Sequence, residues 1–227
     1  MKTFYNIMVL LLLPLFVFAQ EDNSKENKEE TLIKDMNMDV IGIFGGPILK
    51  VTQINGAVGL MVGGSGGVIF DNILSIGGGG YGLTTNHIIK VNNSQPDSYN
   101  LGFNYGGLIL EYVHNPNKVI HLSFQTLIGG GSVNTHNENY LWGNNDYIYQ
   151  NSSVFVFEPS VNLEINMHKY LKLSAGLSYR VVSGSNMNLI NDSDLMGLSG
   201  DLMFKFYLGD VIGTVKKIIK EVKDEEI

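Results

Sequence analysis

Residues 152–183 read SSVFVFEPSVNLEINMHKYLKLSAGLSYRVVS, and their alternation decides the fold. Odd positions carry Phe155, Phe157, Val161, Leu163 and Ile165, then Leu171, Leu173, Ala175, Leu177, Tyr179 and Val181. Even positions carry Glu158, Ser160, Asn162, Glu164 and Asn166, then Lys172, Ser174, Gly176, Ser178 and Arg180. Successive side chains of a strand point to opposite faces, so each half has one apolar and one polar face. His168-Lys169-Tyr170 is a short link, and the two halves form a hairpin. Opposed residues of an antiparallel pair have numbers adding to a constant. Both apolar faces are odd, so that constant is even. A sum of 336 leaves too little chain to turn, and 340 makes Glu158 and Arg180 diagonal neighbours. The reading adopted is 338, which sets Glu158 opposite Arg180, the single arginine of the chain. The expectation is an interior ion pair between them, in a network with Glu164, Asp201 and Lys205. A sheet in water hides its apolar face, whereas a membrane barrel turns it outward.

Six further runs, all but one placed before the hairpin, have the same texture. With the two hairpin strands the eight are Val40–Gln53, Ala57–Phe70, Ile73–Thr85, Tyr99–His114, Val119–Gly131, Ser152–Met167, Leu171–Ser183 and Leu198–Leu208. Each reaches or exceeds the ~9–11 residues of a tilted membrane strand. The connections at 71–72, 115–118 and 168–170 are short, while 86–98, 132–151 and 184–197 are long and rich in Asn, Asp and Ser. Only Ile54-Asn55-Gly56 is short where a long loop is expected. Short and long connections in alternation imply an even strand number with both termini on one side. The fold expected is all-β: an eight-stranded antiparallel up-and-down transmembrane β-barrel. Its few strand charges, Lys50, Glu111, Glu158, Glu164, Lys172, Arg180, Asp201 and Lys205, should face inward and pair. Gly63-Gly64-Ser65-Gly66-Gly67 and Gly77-Gly78-Gly79-Gly80 blur the alternation, as bulges, curvature or room for an aromatic ring would. No helix of apolar period follows either run, so a phosphate-loop reading fails.

The totals agree. The chain has 227 residues, 27 Gly, no Cys and a net charge of -7, with no basic cluster before the C-terminal tail. That excludes disulfide chemistry and argues against a nucleic-acid partner. After residue 20 no apolar run nears the ~20 residues of a membrane helix. Residues 1–19 read as a signal peptide cleaved after Ala19: Lys2 precedes the apolar Ile7–Phe18 run and small residues end it. Residues 20–39 hold seven acids and three lysines and read as a solvated acidic tail. The barrel spans 40–208. In 209–227, Val211, Val215, Ile218, Ile219 and Val222 recur at helical spacing between lysines, predicting a short periplasmic amphipathic helix. A frayed solvated tail is the alternative.

From Val40 to Leu208 the chain resembles the small eight-stranded outer-membrane β-barrel proteins of Gram-negative bacteria. It is most similar to a Gly-rich group, through Gly77-Gly78-Gly79-Gly80-Tyr81-Gly82-Leu83, Asn115-Pro116-Asn117-Lys118 and Leu127-Ile128-Gly129-Gly130-Gly131. These motifs carry no chemistry. The resemblance implies outer-membrane lipid as surroundings and barrel-assembly machinery as a transient partner reading Phe204, Phe206 or Tyr207. The chain departs from the pattern by continuing past its last strand.

Some barrels of this size modify lipids, so the five histidines were weighed as catalysts. His114 and His168 fall at turns, His87 and His136 in loops. His121 shares a polar strand face with Ser123, and pairing across the Pro116 turn would set it opposite Glu111. A nucleophilic triad needs more than that, and an interior Glu111–His121 pair is the plainer reading. No spacing suggests a metal or a cofactor. Eight strands enclose room that side chains fill, which disfavours an open channel. Tyr140, Trp142, Tyr147 and Tyr149 in the largest loop fit either recognition of an extracellular ligand or an interfacial aromatic girdle. The alternative class is a soluble secreted barrel, lipocalin-like, with an apolar ligand inside and the faces exchanged.

Overall fold

The computed structural model describes residues 40–86, 88–90, 98–137, 148–188 and 190–209. The signal peptide, the acidic tail, the C-terminal helix, His87 and the aromatic residues Tyr140, Trp142 and Tyr147 lie outside these residues. His136 and Tyr149 are described only through the backbones of their strands.

The described residues form nine strands: β1 Val40–Ile54, β2 Ala57–Phe70, β3 Leu74–Leu83, β4 Ile88–Lys90, β5 Ser98–His114, β6 Ile120–Asn137, β7 Ile148–His168, β8 Leu171–Ser183 and β9 Gly197–Gly209. One short helix, α1, covers Asp192–Leu195. Every pairing is antiparallel, each long strand lies beside its neighbours in sequence, and β9 pairs with β1 while β3 pairs with β5. Eight strands therefore close on themselves, which leaves no open edge in the ring. The ninth, β4, is a three-residue ribbon along the start of β5.

The turns follow from local chemistry. Asn55 and Gly56 have φ of 49° and 73°, and Asp71 and Asn72 have φ of 48° and 57°. Two successive positive φ values define the two-residue hairpin turn whose twist matches its strands, and Asn, Asp and Gly adopt it at least cost. In the opening hairpin Ser160 opposes Ser178 and Phe155 opposes Ser183, each pair adding to 338. The ladder skips Glu158 and Pro159, where proline has no N–H to donate.

Two strands differ from expectation. β6 continues to Asn137 and β7 begins at Ile148, so part of the long 132–151 connection is paired sheet. Alternating Asn, Ser and Thr disguise it as loop.

The glycine runs align across strands. Gly64 opposes Gly80, Gly66 opposes Gly78 and Gly67 opposes Gly77; Gly80 opposes Gly106, and Gly106 opposes Gly130. Backbones crowd there: a Cβ on Gly107 would lie 2.6 Å from the Gly129 Cα, while one on Gly82 would meet nothing within 4 Å. Gly107→Ala should therefore lower stability by about 1–3 kcal/mol through overpacking. Gly82→Ala should stay within about 0.5 kcal/mol. Urea unfolding midpoints of the two variants check this contrast.

Candidate functional site

The eight charges of the long strands point into the barrel. Outside, from the turn end upward, stand Tyr112, Leu110 and Leu108 on β5, Leu122, Phe124 and Ile128 on β6, Leu163, Val161 and Phe155 on β7, and Phe206, Phe204 and Leu202 on β9, all exposed. The soluble alternative requires these two faces exchanged, and over this part of the wall the structure has the opposite arrangement.

The interior charges form two layers. Near the turn end Lys205 Nζ lies 2.7 Å from Glu111 Oε2 and 3.0 Å from Glu164 Oε1. Ser75 Oγ donates to Glu111 at 2.7 Å, and Lys172 Nζ reaches Glu164 at 4.0 Å. At mid-height Lys50 Nζ contacts Glu158 Oε1 at 2.7 Å, and Tyr105 and Ser178 donate their hydroxyls to the same carboxylate at 2.5 Å each. Lys50 also sits 3.8 Å from the Tyr81 ring centroid. Asp201 opposes Lys50 across β1–β9, and both line a cavity of about 10 Å³, roughly the room of one water.

Two expected pairs are replaced. The register of 338 holds, yet Glu158 reaches across the lumen to Lys50, and Arg180 forms no ion pair among the described residues. Arg180 is fully buried, with Nε donating to the Leu195 carbonyl at 2.8 Å and Nη2 to the Gln53 carbonyl at 3.2 Å. Its guanidinium lies over the Phe103 ring at 5.2 Å. Glu111 faces Gln125, not His121, because the turn at Asn115–Val119 sets that register. His121 instead meets Glu164 at 3.1 Å through Nε2 and the Lys118 carbonyl at 3.0 Å through Nδ1. Ser123, the hydroxyl weighed beside it, is fully buried and accepts from Asn162. Among the described residues no serine bonds His121, and Ser123, His121 and Glu164 are all buried.

The connection 184–196 is the part that sequence reasoning missed. It folds into the barrel mouth, burying Met187, Ile190 and Leu195 against a core that includes Leu101, Phe103, Val133, Val154, Val156 and Val182. Its shape is held by the Asp192 carboxylate, which accepts from the Gly184 and Ser185 N–H groups at 3.2 and 2.7 Å. The Asn55 N–H donates to the Asp194 carbonyl at 2.6 Å, tying the loop to the β1–β2 turn. Arg180 pins it from below. Five apolar residues, Met187, Leu189, Ile190, Leu195 and Met196, within an Asn, Asp and Ser background were the available signal.

At the opposite end an open basin of about 420 Å³ is lined by Asn72, Asn117, Asn166, His168, Lys172 and Tyr207, among others. Among the described residues no group of His, Cys, Asp and Glu has the arrangement of a metal site.

No protein-family model matches the chain, and no curated protein matches it. Solved structures similar to the chain include the three that follow. Neisserial surface protein A shares 11% identity over 74% of this chain and 96% of its own, with a TM-score of 0.47. Ail, the attachment invasion locus protein of Yersinia pestis, shares 11% over 73% and 95%, at 0.42. The outer membrane protein OprG from Pseudomonas aeruginosa shares 10% over 75% and 97%, at 0.47. At such identities and scores the barrel assignment rests on this chain's own closed strand pairing.

Removing one partner of a buried ion pair costs about 3–5 kcal/mol because the survivor stays uncompensated. Lys50→Met and Glu158→Gln should each lower the urea midpoint, and the double variant should lose clearly less than their sum. A double-mutant cycle should give Lys50–Glu158 a larger coupling than Glu158–Arg180.

Proposed function

We propose that the chain is an integral outer-membrane β-barrel of structural or surface-recognition type, with a lumen filled by side chains. One observation carries this reading: the apolar face changes sides part-way up the wall. Below the row Gly106–Gly130–Phe155, the outward side chains on β5, β6 and β7 are mainly apolar. Above it the described outward ones are Asn100, Asn104, Ser132, Asn134, Asn151 and Ser153, while Leu101, Phe103, Val133 and Val154 turn inward. A wall wholly in water or wholly in lipid has no reason to switch. From Phe155 to Ile165, at ~3.3 Å rise and ~45° tilt, the lower part is roughly 24 Å tall, close to the ~25 Å band of membrane barrels. The upper part then stands in water.

The ends follow. The short turns at 71–73, 115–119 and 169–170 are periplasmic and the mouth with α1 is external. The ion layers and the loop 184–196 oppose a steady aqueous path, and no charge arrangement in the interior supports catalysis. Recognition falls to the top of the barrel, where Tyr140, Trp142 and Tyr147 and, at the start of β7, Tyr149 would meet an extracellular ligand. Barrel-assembly machinery is the expected partner during biogenesis, and cleavage after Ala19 the expected processing.

The protein should fractionate with detergent-extracted membranes and migrate more slowly on gels after boiling. Recovery in the detergent-free soluble fraction would overturn the location. Cysteine placed at Asn188 should label on intact cells, and cysteine at Lys169 should not. Leu177→Arg, outward near mid-wall, should cost about 2–4 kcal/mol in vesicles. In planar bilayers the purified barrel should show no steady conductance.

A further inference from the structure

The basin at the turn end is ringed by all three short connections: Asn72 comes from 71–73, Pro116 and Asn117 from 115–119, and Lys169 from 169–170. Lys172 and Tyr207 enter it from β8 and β9. Lys172 stands directly opposite Lys205 across that strand pair, and like charges so placed repel. Lys205 holds the nearby acids, Glu111 at 2.7 Å and Glu164 Oε1 at 3.0 Å, while His121 takes Glu164 Oε2 at 3.1 Å. Lys172 Nζ stops 4.0 Å from that second oxygen, beyond hydrogen-bond reach. Its side chain is only 15% exposed, yet among the described residues it makes no hydrogen bond. The basin supplies no carboxylate to answer it. Asp71, the one acid of the three turns, stands outside the lining, as does Lys118, and Lys169 inside adds a second ammonium. The neutral groups present donors as well. Asn72 Oδ1 accepts from the Tyr207 hydroxyl at 2.7 Å, which leaves the amide N–H2 of Asn72 for the basin. His168 Nδ1 accepts from the Tyr170 N–H at 3.4 Å, which puts the ring hydrogen on Nε2. Asn166 gives its own N–H2 to the Pro116 and Lys118 carbonyls.

We infer that this basin binds the phosphate group of a small soluble ester, with Lys172 as its principal partner. Two ammoniums, an amide and an imidazole N–H outnumber what the two oxygens of a carboxylate use, whereas a phosphate ester brings three strongly accepting oxygens. Lysine serves phosphate as a point charge, and the paired donors of an arginine fork, which favour a flat carboxylate, are absent from the lining. The volume of about 420 Å³ falls within the ~300–1,000 Å³ of small-molecule sites, so the ester carries a body beyond its phosphate. An anion seated here gives Lys172 the hydrogen bond it lacks and screens it from Lys205. The membrane reading above enters only in making the periplasm the source of the ester.

Titrating the full-length barrel in maltoside micelles with glycerol 3-phosphate, followed by amide NMR shifts, tests this. Saturable shifts should appear at Asn72, Asn117, His168 and Lys172, and glycerol should cause none. Lys172→Met should weaken binding roughly tenfold, the equivalent of one charge-assisted hydrogen bond. Lys169→Gln, at an exposed turn, should weaken it roughly threefold. Lys172→Met should also keep or raise the urea midpoint, because it removes the charge facing Lys205. A midpoint that falls as far as that of Lys50→Met would make Lys172 the structural partner of Glu164 and overturn the inference. Binding by Lys172→Met as tight as wild type would do the same, as would shifts that sodium chloride at equal ionic strength reproduces. Should Lys172→Met fail to fold, Lys169→Gln decides, and no loss there counts against the site. Nanodiscs identify the source: shifts that persist with phosphatidylglycerol in the disc support a soluble ester, and shifts abolished by it would assign the phosphate to a lipid headgroup and overturn the soluble ligand. Because binding is read in micelles, its failure is separate from that of the membrane location, which fractionation tests.

Discussion

A wall one strand thick, apolar on its outer face up to the row Gly106–Gly130–Phe155, leaves the charges of its eight long strands a single place to go. Lys50, Lys172, Arg180 and Lys205 enter the lumen with Glu111, Glu158, Glu164 and Asp201, four cations against four carboxylates. Isolated charges in such a space are prohibitive, and paired ones are tolerated only with good geometry and further hydrogen bonds. The pairs run across the lumen: Lys50 on β1 meets Glu158 on β7, and Lys205 on β9 meets Glu111 on β5. None of these strand pairs is adjacent. Each contact therefore ties opposite walls, and the ring cannot widen without stripping a charge of its partner.

This explains which parts of the molecule are legible in the sequence. Faces and register depend on period and parity, which neighbouring strands carry in their own residues; the sum of 338 in β7–β8 needed nothing else. Partners across the lumen depend on closure, which no local pattern records. Register did bring Glu158 and Arg180 to the same level, but Lys50 arrived from the far wall with Tyr105 and Ser178 to complete the carboxylate's hydrogen bonds. His121 and Glu111 were separated for a local reason, the five-residue excursion at Asn115–Val119 that shifts the strand return. The glycine runs were likewise unreadable singly. Their meaning lies in alignment, with Gly67 against Gly77 and Gly107 against Gly129 at distances that admit no side chain.

Arg180 stands apart from the other interior cations because its fork answers a different need. The loop 184–196 and the end of β1 present carbonyls to the mouth, and an ammonium would satisfy them as a point charge. A guanidinium offers separate donors in one plane, so Nε takes Leu195 and Nη2 takes Gln53 while the flat face rests on Phe103. The loop's own apolar residues complete the seal over that plane. A long polar connection on a small barrel is thus also core, because Met187, Ile190 and Leu195 pack into it.

The exchange of faces along β7 has a sequence trace that period alone conceals. The strand runs unbroken from Asn151 to Glu164, its side chains pointing alternately out and in. What changes is which parity is apolar, and in between both are: Val154 and Val156 point inward while Phe155 and Phe157 point outward. The same doubling occurs on β5, where Leu108 and Leu110 face out around the inward Ile109. A strand that crosses from one solvent to another must pass a level where both faces are apolar, because the inner face meets the mouth's core before the outer face leaves the apolar band. Consecutive large apolar residues inside an alternating strand therefore mark a boundary in height. In this chain those marks sit beside the glycine rows on β5–β7, the same level at which the outward residues turn to Asn and Ser.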